Sequence, residues 1–269
     1  MEMFQGRLSW GDDMRRVENL FLTFSILGSV IVFALLTPMA IIFFMTNPIQ
    51  IGEALMDLEI LNALLTTFTA AAVAALSALI FGTPLAYILA RKDFAFKNLL
   101  ESLMNVPLAI PHSVAGILVL LAYHSRSSIG EILSRIGIVV EDSFWGIVVA
   151  MLFVSAPIFI SSARSGFSMV DETFEHVART LGAGHFKTFF TVTLPLAFRS
   201  IVSGIIVTWA RAVSEVGALL IVAPYPKSIA LLVIERFEAF GLSAAIPITA
   251  LLLLIGIIVV LTLNYISMR

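Results

Sequence analysis

The chain has 269 residues, of which 59% are hydrophobic and 13% are charged, and its mean hydropathy is +1.03. This balance excludes an ordinary soluble domain and is typical of an integral membrane protein. The net charge of -2 and the absence of cysteine exclude a basic surface for nucleic acid, disulfides, thiolate metal sites and a cysteine nucleophile.

Six stretches are apolar enough to cross a membrane, which takes about 20 residues. They are residues 20–45, 63–90, 101–123, 144–167, 199–223 and 244–266. Because they are continuously apolar, they predict α-helices and not the alternating strands of a membrane barrel. The first stretch is too long for a signal peptide and is expected to be an uncleaved span. The expected fold is therefore an all-α integral membrane bundle of six helices.

The distribution of Lys and Arg predicts the orientation of the bundle. With the N-terminus inside, the inner segments hold 11 of the 16 basic residues: Arg7, Arg15, Arg16, Arg91, Lys92, Lys97, Arg164, Arg179, Lys187, Arg199 and Arg269. The outer segments hold four: Arg126, Arg135, Lys227 and Arg236. Both termini are therefore expected to be cytoplasmic.

The third span contains Pro107 and Pro111, one helical turn apart. Each proline removes a backbone donor and crowds the preceding turn, so the helix is expected to bend or open there. At about 1.5 Å per residue, His112 falls near the middle of the bilayer. Two interpretations stay open: a kinked packing helix, or the lining of a pathway that uses His112, Ser113 and the freed amides.

The longest inner connection, residues 168–198, begins with the pattern of a short amphipathic helix. Asp171 suits its N-cap, and Gly182 suits a left-handed stop. Glu175 and Arg179, at i and i+4, are expected to pair on one face. Another face carries an apolar stripe of Phe174, Val177, Ala178 and Leu181.

A second element of this connection spans about residues 185–193. It is expected to end at Leu194 and Pro195, where the proline breaks the helix before span five. The glycines and the Lys-Thr pair of residues 182–188 do not have the spacing of a phosphate-binding loop, so the chain is not expected to bind ATP itself.

Span five carries Arg211 and Glu215 near mid-depth, where a charge costs about 2.5 to 3.5 kcal/mol on insertion scales. Their spacing of four places both side chains on one helix face, where they neutralise each other. The pair either fixes helix packing or borders the translocation path or its gate. A neutralised pair attracts an anion weakly, which favours a gate or scaffold over a high-affinity oxyanion site.

Residues 168–198 resemble the cytoplasmic EAA loop of ABC importer permeases. The small pair Val177-Ala178 is followed by Gly182 and then by Leu194-Pro195, as in that motif. His176 stands where the family usually has Glu, and Glu175 lies one place earlier. In the family this helix docks on the ATPase subunit and transmits its motion to the membrane.

Two further segments narrow the resemblance. "PLAIPHSVAGI", residues 107–117, is similar to archaeal-type molybdate/tungstate permeases, and "RAVSEVGA", residues 211–218, is similar to a signature of ABC permeases for molybdate, tungstate and sulfate. Relatives often have Gly and an aromatic residue where this chain has Ser214 and Val216, which leaves the oxyanion open.

The resemblance covers about residues 60–266 and implies a type I ABC importer permease. Such subunits form a homodimer in the cytoplasmic membrane of a bacterium or archaeon, with two ATPase subunits and an external oxyanion-binding protein. ATP and Mg²⁺ are used by the ATPase, so this chain is expected to be no enzyme and to hold no cofactor or metal. Residues 1–59 form the N-terminal segment, first helix and outer loop, and residues 60–266 form the transmembrane domain with the coupling loop 168–198.

The candidate site residues form two groups. The resemblance assigns ATPase coupling to Phe174, Glu175, His176, Val177, Ala178, Arg179, Leu181, Gly182, Ala183, Leu194 and Pro195. The candidates for the pathway or gate are His112, Ser113, Arg211, Ser214 and Glu215. Sulfate or thiosulfate import by the same machinery is the nearest alternative. A proton-coupled secondary transporter with His112, Arg211 and Glu215 as its relay is an alternative from a different class.

Overall fold

A computed structural model describes the backbone of residues 2–267 and the side chains of residues 18–262 and 265, and this part of the chain contains no β-strand. Its helices, numbered in chain order, are α1 (Glu2–Met45), α2 (Pro48–Met56), α3 (Leu58–Arg91), α4 (Lys97–Ala109), α5 (His112–Tyr123), α6 (Ser128–Arg135), α7 (Phe144–Met169), α8 (Glu172–Thr180), α9 (His185–Thr188), α10 (Leu194–Val213), α11 (Leu219–Val222), α12 (Ile229–Phe240) and α13 (Leu242–Ser267). A π-helical turn, Phe189–Thr193, joins α9 to α10.

Within the described residues, five helical segments are long and apolar enough to cross a membrane: Glu18–Met45, Leu58–Arg91, Phe144–Met169, His185–Val213 and Leu242–Thr262. The pair α4 and α5, bent by 117°, makes a sixth if it counts as one span. The predicted all-α membrane bundle is therefore confirmed. Four of the charges used to predict its orientation, Arg7, Arg15, Arg16 and Arg269, lie outside the described side chains.

The interruption predicted in span three is confirmed. Helix α4 ends at Ala109 and α5 begins at His112, with Pro111 as its N-cap residue. Proline suits this position because its fixed φ and its missing N–H are tolerated at the start of a helix. Pro111 thus stands where one apolar stretch divides into two helices that point in different directions, whereas Pro107 lies inside α4 without ending it.

The predicted continuous helix 199–223 is wrong, because α10 ends at Val213 and α11 begins only at Leu219. The prediction rested on the apolar composition of this stretch, which does not reveal the backbone break at residues 214–218. The break is stabilised by a side chain that binds a backbone amide, as described below.

The predicted helix break at Pro195 is also wrong. The helical path runs from His185 to Val213 without a gap, because the π-helical turn shifts the hydrogen-bond register just before the proline. The Leu194 N–H donates to the carbonyl of Phe189, five residues earlier. Pro195 then falls in the first turn of α10, where no helical N–H is required.

Small residues allow the central helices to approach each other closely. One stripe of α3 has alanine or glycine at every fourth position and is buried: Ala70, Ala74, Ala78, Gly82 and Ala86. Because lipid is as apolar as the helices, the hydrophobic effect does not hold helices together in a membrane. Close approach at small residues instead stabilises the bundle through van der Waals contacts. A Cβ atom at Gly82 would lie 2.9 Å from Cδ1 of Phe159 on α7. Helices α7 and α10 approach as closely at Gly166, where a Cβ atom would collide with the side chain of Ser200.

We predict that Gly166→Ala destabilises the bundle, because the added methyl group forces α7 and α10 apart. Overpacking of this kind lowers the free energy of unfolding by about 1 to 3 kcal/mol. The matched control is Gly256→Ala in α13, where an added Cβ has no neighbour within 4 Å. Thermal unfolding of the detergent-solubilised protein measures both, and an equal shift in the two variants would contradict this packing.

Candidate functional site

The five predicted pathway residues meet where two helices are interrupted. One interruption separates α4 from α5, and the other, residues 214–218, separates α10 from α11. A Cβ atom at Gly217 would lie 2.7 Å from Cβ of His112, and one at Gly116 would lie 2.8 Å from the carbonyl oxygen of Ala218. The break at residues 214–218 therefore packs directly on the first turns of α5, at distances that leave no room for a Cβ atom at Gly217 or Gly116. We call this contact region the junction.

Glu215 is the centre of the junction and is only 1% exposed. Its Oε2 accepts a hydrogen bond from Nη2 of Arg211 at 3.0 Å, and its Oε1 accepts one from the Ala218 N–H at 2.8 Å. Nδ1 of His112 lies 3.0 Å from Oε2. The carboxylate thus binds an amide that the break in the helix would otherwise leave without a partner, in a region where water cannot replace it.

The prediction that Arg211 and Glu215 share one helix face is wrong, although the two side chains do pair. Arg211 lies in the last turn of α10, whereas Glu215 lies beyond the helix end. The physical reason is the bond from Glu215 to the backbone of Ala218, since such local side-chain bonds compete with helix formation. His112 also contacts this pair, and the helical spacing of Arg211 and Glu215 did not reveal its contact.

His112 gives the junction two arrangements of hydrogen bonds. Its Nδ1 lies 2.9 Å from Nη2 of Arg211 and 3.0 Å from Oε2 of Glu215. Arg211 can only donate and the carboxylate can only accept, so this nitrogen serves one partner at a time. In one tautomer Nδ1 accepts from Arg211; in the other Nδ1 donates to Glu215, and Nε2, which lies 3.1 Å from the same Nη2, accepts from Arg211.

The open side of the junction is polar. The side chain of His112 is 49% exposed and that of Arg211 is 21% exposed. Ser113 and Ser214 are exposed beside them, and Oγ of Ser214 donates to the Arg211 carbonyl at 2.9 Å. The structure therefore brings all five predicted residues together, with the carboxylate inside and the neutral polar groups outside.

The helix predicted in the connection of residues 168–198 forms as α8, and both of its predicted ends are confirmed. Oδ1 of Asp171 accepts the Thr173 N–H at 2.8 Å. At the other end Gly182 has φ +89°, its N–H donates to the Arg179 carbonyl at 3.0 Å, and the Ala183 N–H donates to the Ala178 carbonyl at 3.0 Å. This pair of bonds is a Schellman motif, which closes the helix.

The predicted apolar stripe of α8 points away from the bundle. Phe174, Val177 and Leu181 are each more than half exposed, and Ala178 is half-buried. The neighbouring α9 and π-helical turn, at the start of the candidate span His185–Val213, also carry exposed rings, Phe186 and Phe190, which were not among the predicted residues. An exposed apolar surface on a helix outside the membrane spans, as on α8, marks a site of interaction with another protein or with the membrane.

The predicted pairing of Glu175 with Arg179 is wrong. Arg179 places Nη2 2.9 Å from Nδ1 of His176, and its Nε donates to the main-chain carbonyl of Glu175 at 3.2 Å. The Glu175 side chain faces the bundle instead and is 5% exposed. A buried cation on α3, Arg91, replaces Arg179 because a buried carboxylate needs a partner that is itself shielded from water.

Three side chains donate to the buried carboxylate of Glu175. Nε of Arg91 lies 2.9 Å and Oγ1 of Thr193 lies 3.0 Å from Oε1, and the hydroxyl of Tyr87 lies 3.0 Å from Oε2. Burial alone would raise the pKa of Glu175, but the hydrogen bonds from Arg91, Thr193 and Tyr87 outweigh it and hold the pKa below its ordinary value. No local pattern in the sequence reveals these donors, since Arg91 is 84 positions away from Glu175.

The remaining coupling candidates lie nearby. Leu194 and Pro195 begin α10 directly after Thr193, and Gly182 and Ala183 close α8. Over the described side chains, no three His, Asp or Glu residues converge closely enough to hold a metal ion.

The chain is similar to a protein family and to individual permeases of known name. The family model described as "binding-protein-dependent transport system inner membrane component" matches residues 82–269. The molybdate/tungstate transport system permease protein WtpB of Thermococcus kodakarensis is 44% identical over 252 residues, which cover 92% of this chain and 96% of that protein. The sulfate transport system permease protein CysT of Synechocystis sp. is 33% identical over 202 residues, which cover 74% and 71%.

A solved structure shows the same fold at low sequence identity. It is the crystal structure of a bacterial ABC transporter involved in the import of the acidic polysaccharide alginate. The TM-score is 0.72 at 18% identity, over 97% of this chain and 98% of that chain.

We predict that Arg211→Ala destabilises the protein more than the double variant Arg211→Ala/Glu215→Gln. The single change leaves a buried carboxylate without its cation, which costs about 3 kcal/mol in the free energy of unfolding. The double variant removes the charge but keeps an oxygen that accepts the Ala218 N–H. Unfolding in detergent compares the two, and equal losses of stability would show that charge neutralisation is not what holds the junction together.

Proposed function

The chain belongs to the family of binding-protein-dependent transport system inner membrane components, and from that premise we propose that it is the permease subunit of an ATP-driven importer of molybdate or tungstate. The substrate proposal rests on the 44% identity to a molybdate/tungstate permease over nearly the whole of both chains. The sulfate permease is a more distant relative over a smaller share of the chain, which makes sulfate or thiosulfate the second candidate.

The proposed assembly is a homodimer of this subunit with two ATPase subunits and an external oxyanion-binding protein. The exposed apolar surface of α8 supports the ATPase contact, because an amphipathic helix of this kind fits a groove on a partner. ATP and Mg²⁺ are then used by the ATPase, and this chain supplies the path and the moving parts. The proposed location is the cytoplasmic membrane of a bacterium or archaeon, with both termini and α8 on the cytoplasmic side.

We place the junction on the translocation path. Broken helices at membrane depth are tolerated where they line a cavity or are buried in protein, and the polar side of the junction is open in the single chain. Because Glu215 neutralises Arg211, the junction binds an oxyanion weakly and lets it pass, while affinity comes from the external binding protein. The two tautomers of His112 give the gate two hydrogen-bonded states, which differ in whether His112 also donates to Glu215.

Family membership leaves the proton-coupled secondary transporter without support. That alternative used His112, Arg211 and Glu215 as a proton relay. These residues instead have a structural explanation, since together they satisfy the charge and the backbone of two interrupted helices. The same charges can therefore belong to a path that ATP hydrolysis opens and closes.

The function is tested by reconstituting the permease in lipid vesicles with its ATPase and its binding protein. We expect molybdate or tungstate to stimulate ATP hydrolysis, and sulfate at the same concentration to leave it near its basal rate. The matched control omits the binding protein and should show no stimulation by any oxyanion. Stimulation by sulfate alone would overturn the substrate proposal.

A further inference from the structure

Helix α8 is attached to the bundle by one carboxylate rather than by an apolar face. Glu175 is the buried side chain of this helix, whereas the large apolar side chains Phe174, Val177 and Leu181 point outward. A partner that binds the outward surface therefore acts on a helix whose inner attachment consists mainly of hydrogen bonds. The strength and direction of those hydrogen bonds determine which other helices move together with α8.

The donors to Glu175 come from two other elements. Tyr87 and Arg91 lie in the last turns of α3, and Thr193 ends the π-helical turn that leads into α10. The guanidinium of Arg91 has a second partner, because its Nη2 donates to the carbonyl of Val170 at 2.9 Å. Val170 lies in the link between α7 and α8, so Arg91 holds both that link and the helix that follows it. We call Tyr87, Arg91, Glu175 and Thr193 the anchor.

The anchor is stiff for two physical reasons. The side chains of Arg91 and Glu175 are only 7% and 6% exposed, so water does not screen or replace their contact. Charge-assisted hydrogen bonds between such groups are directional, and they fix relative orientation more tightly than apolar contacts do. A displacement of α8 is therefore passed to the end of α3 instead of being absorbed by the loops around α8.

We infer that Glu175 is a positioning residue for transport, which makes α8 and the adjacent end of α3 move as one body through Tyr87, Arg91 and Thr193. This inference rests on the proposed function, because it takes α8 as the helix that the ATPase moves. It assigns Glu175 a role inside the permease rather than a contact with the ATPase. Helix α3 packs along α7 through its small-residue stripe, so the motion reaches the centre of the bundle.

The test measures how many ATP molecules the reconstituted complex hydrolyses for each oxyanion it transports. In Glu175→Gln the amide group brings a donor to face the three donors of the anchor, so α8 should detach from α3 while its outward surface stays unchanged. We expect the ATPase to remain bound and active, and the number of ATP molecules per oxyanion to rise about fivefold or more. The matched control is Glu172→Gln, an exposed carboxylate of the same helix, which should leave the ratio unchanged.

Two further variants keep the test decisive if Glu175→Gln assembles poorly. Tyr87→Phe removes one hydrogen bond without changing the volume of the ring, and Arg91→Lys keeps the charge but cannot hold Glu175 and Val170 together. Both should raise the ratio less than Glu175→Gln does. A purely structural role would lower hydrolysis and transport together and leave the ratio unchanged, and that result in assembled complexes would overturn the inference.

Transport and ATP hydrolysis by the complex without substitutions show whether a negative result concerns the anchor or the proposed function. The ratio is measured with whichever oxyanion stimulates hydrolysis, so transport of sulfate instead of molybdate overturns the substrate proposal alone. If no oxyanion drives hydrolysis in the unchanged complex, the proposed function fails, and the role of α8 fails with it. Normal transport by the unchanged complex with a constant ratio in all three anchor variants overturns the anchor alone.

Discussion

Lipid cannot solvate the carboxylate of Glu215, and the arrangement around it follows from that constraint. The charge is buried among helices with a cation, an imidazole and a backbone amide as its partners. To bring these together, α10 has to end before Glu215, and the start of α5 has to approach Gly217 closely. Two interrupted helices therefore stabilise each other, which neither could do alone in a membrane.

A second buried carboxylate with several hydrogen-bond donors lies at the other end of α10. There the carboxylate of Glu175 gathers donors from α3 and from the π-helical turn, and it holds a helix that lies outside the membrane spans. Thr193 of the anchor directly precedes α10, and Arg211 of the junction lies in its last turn. One helix, roughly 30 Å long at 1.5 Å per residue, thus connects the proposed ATPase-facing helix to the proposed path. This continuity supports a mechanism in which motion at α8 changes the hydrogen bonds at the junction.

Local patterns predicted the parts of the structure that depend on neighbouring residues. Apolar length predicted the spans, the prolines predicted the break before His112, and Asp171 and Gly182 predicted both ends of α8. Hydrogen-bond partners that are distant in the sequence could not be predicted from local patterns. The spacing of Glu175 and Arg179 favoured a pair on one helix, but the distant Arg91 is the partner because both groups are buried. Composition likewise predicted a continuous helix through Glu215, where one bond to a backbone amide ends it.

Thiol labelling tests most directly whether the junction faces an aqueous path that ATP opens and closes. The chain has no cysteine, so Ser214→Cys introduces a single thiol on the polar side of the junction, and Phe33→Cys introduces one on the exposed apolar surface of α1. A charged, membrane-impermeant reagent reacts only where water allows a thiolate to form. In the reconstituted complex we expect Ser214→Cys to react much faster than Phe33→Cys, at a rate that changes when ATP is added. Labelling of Ser214→Cys as slow as that of Phe33→Cys, with and without ATP, would show that the junction is dry packing and would contradict the account.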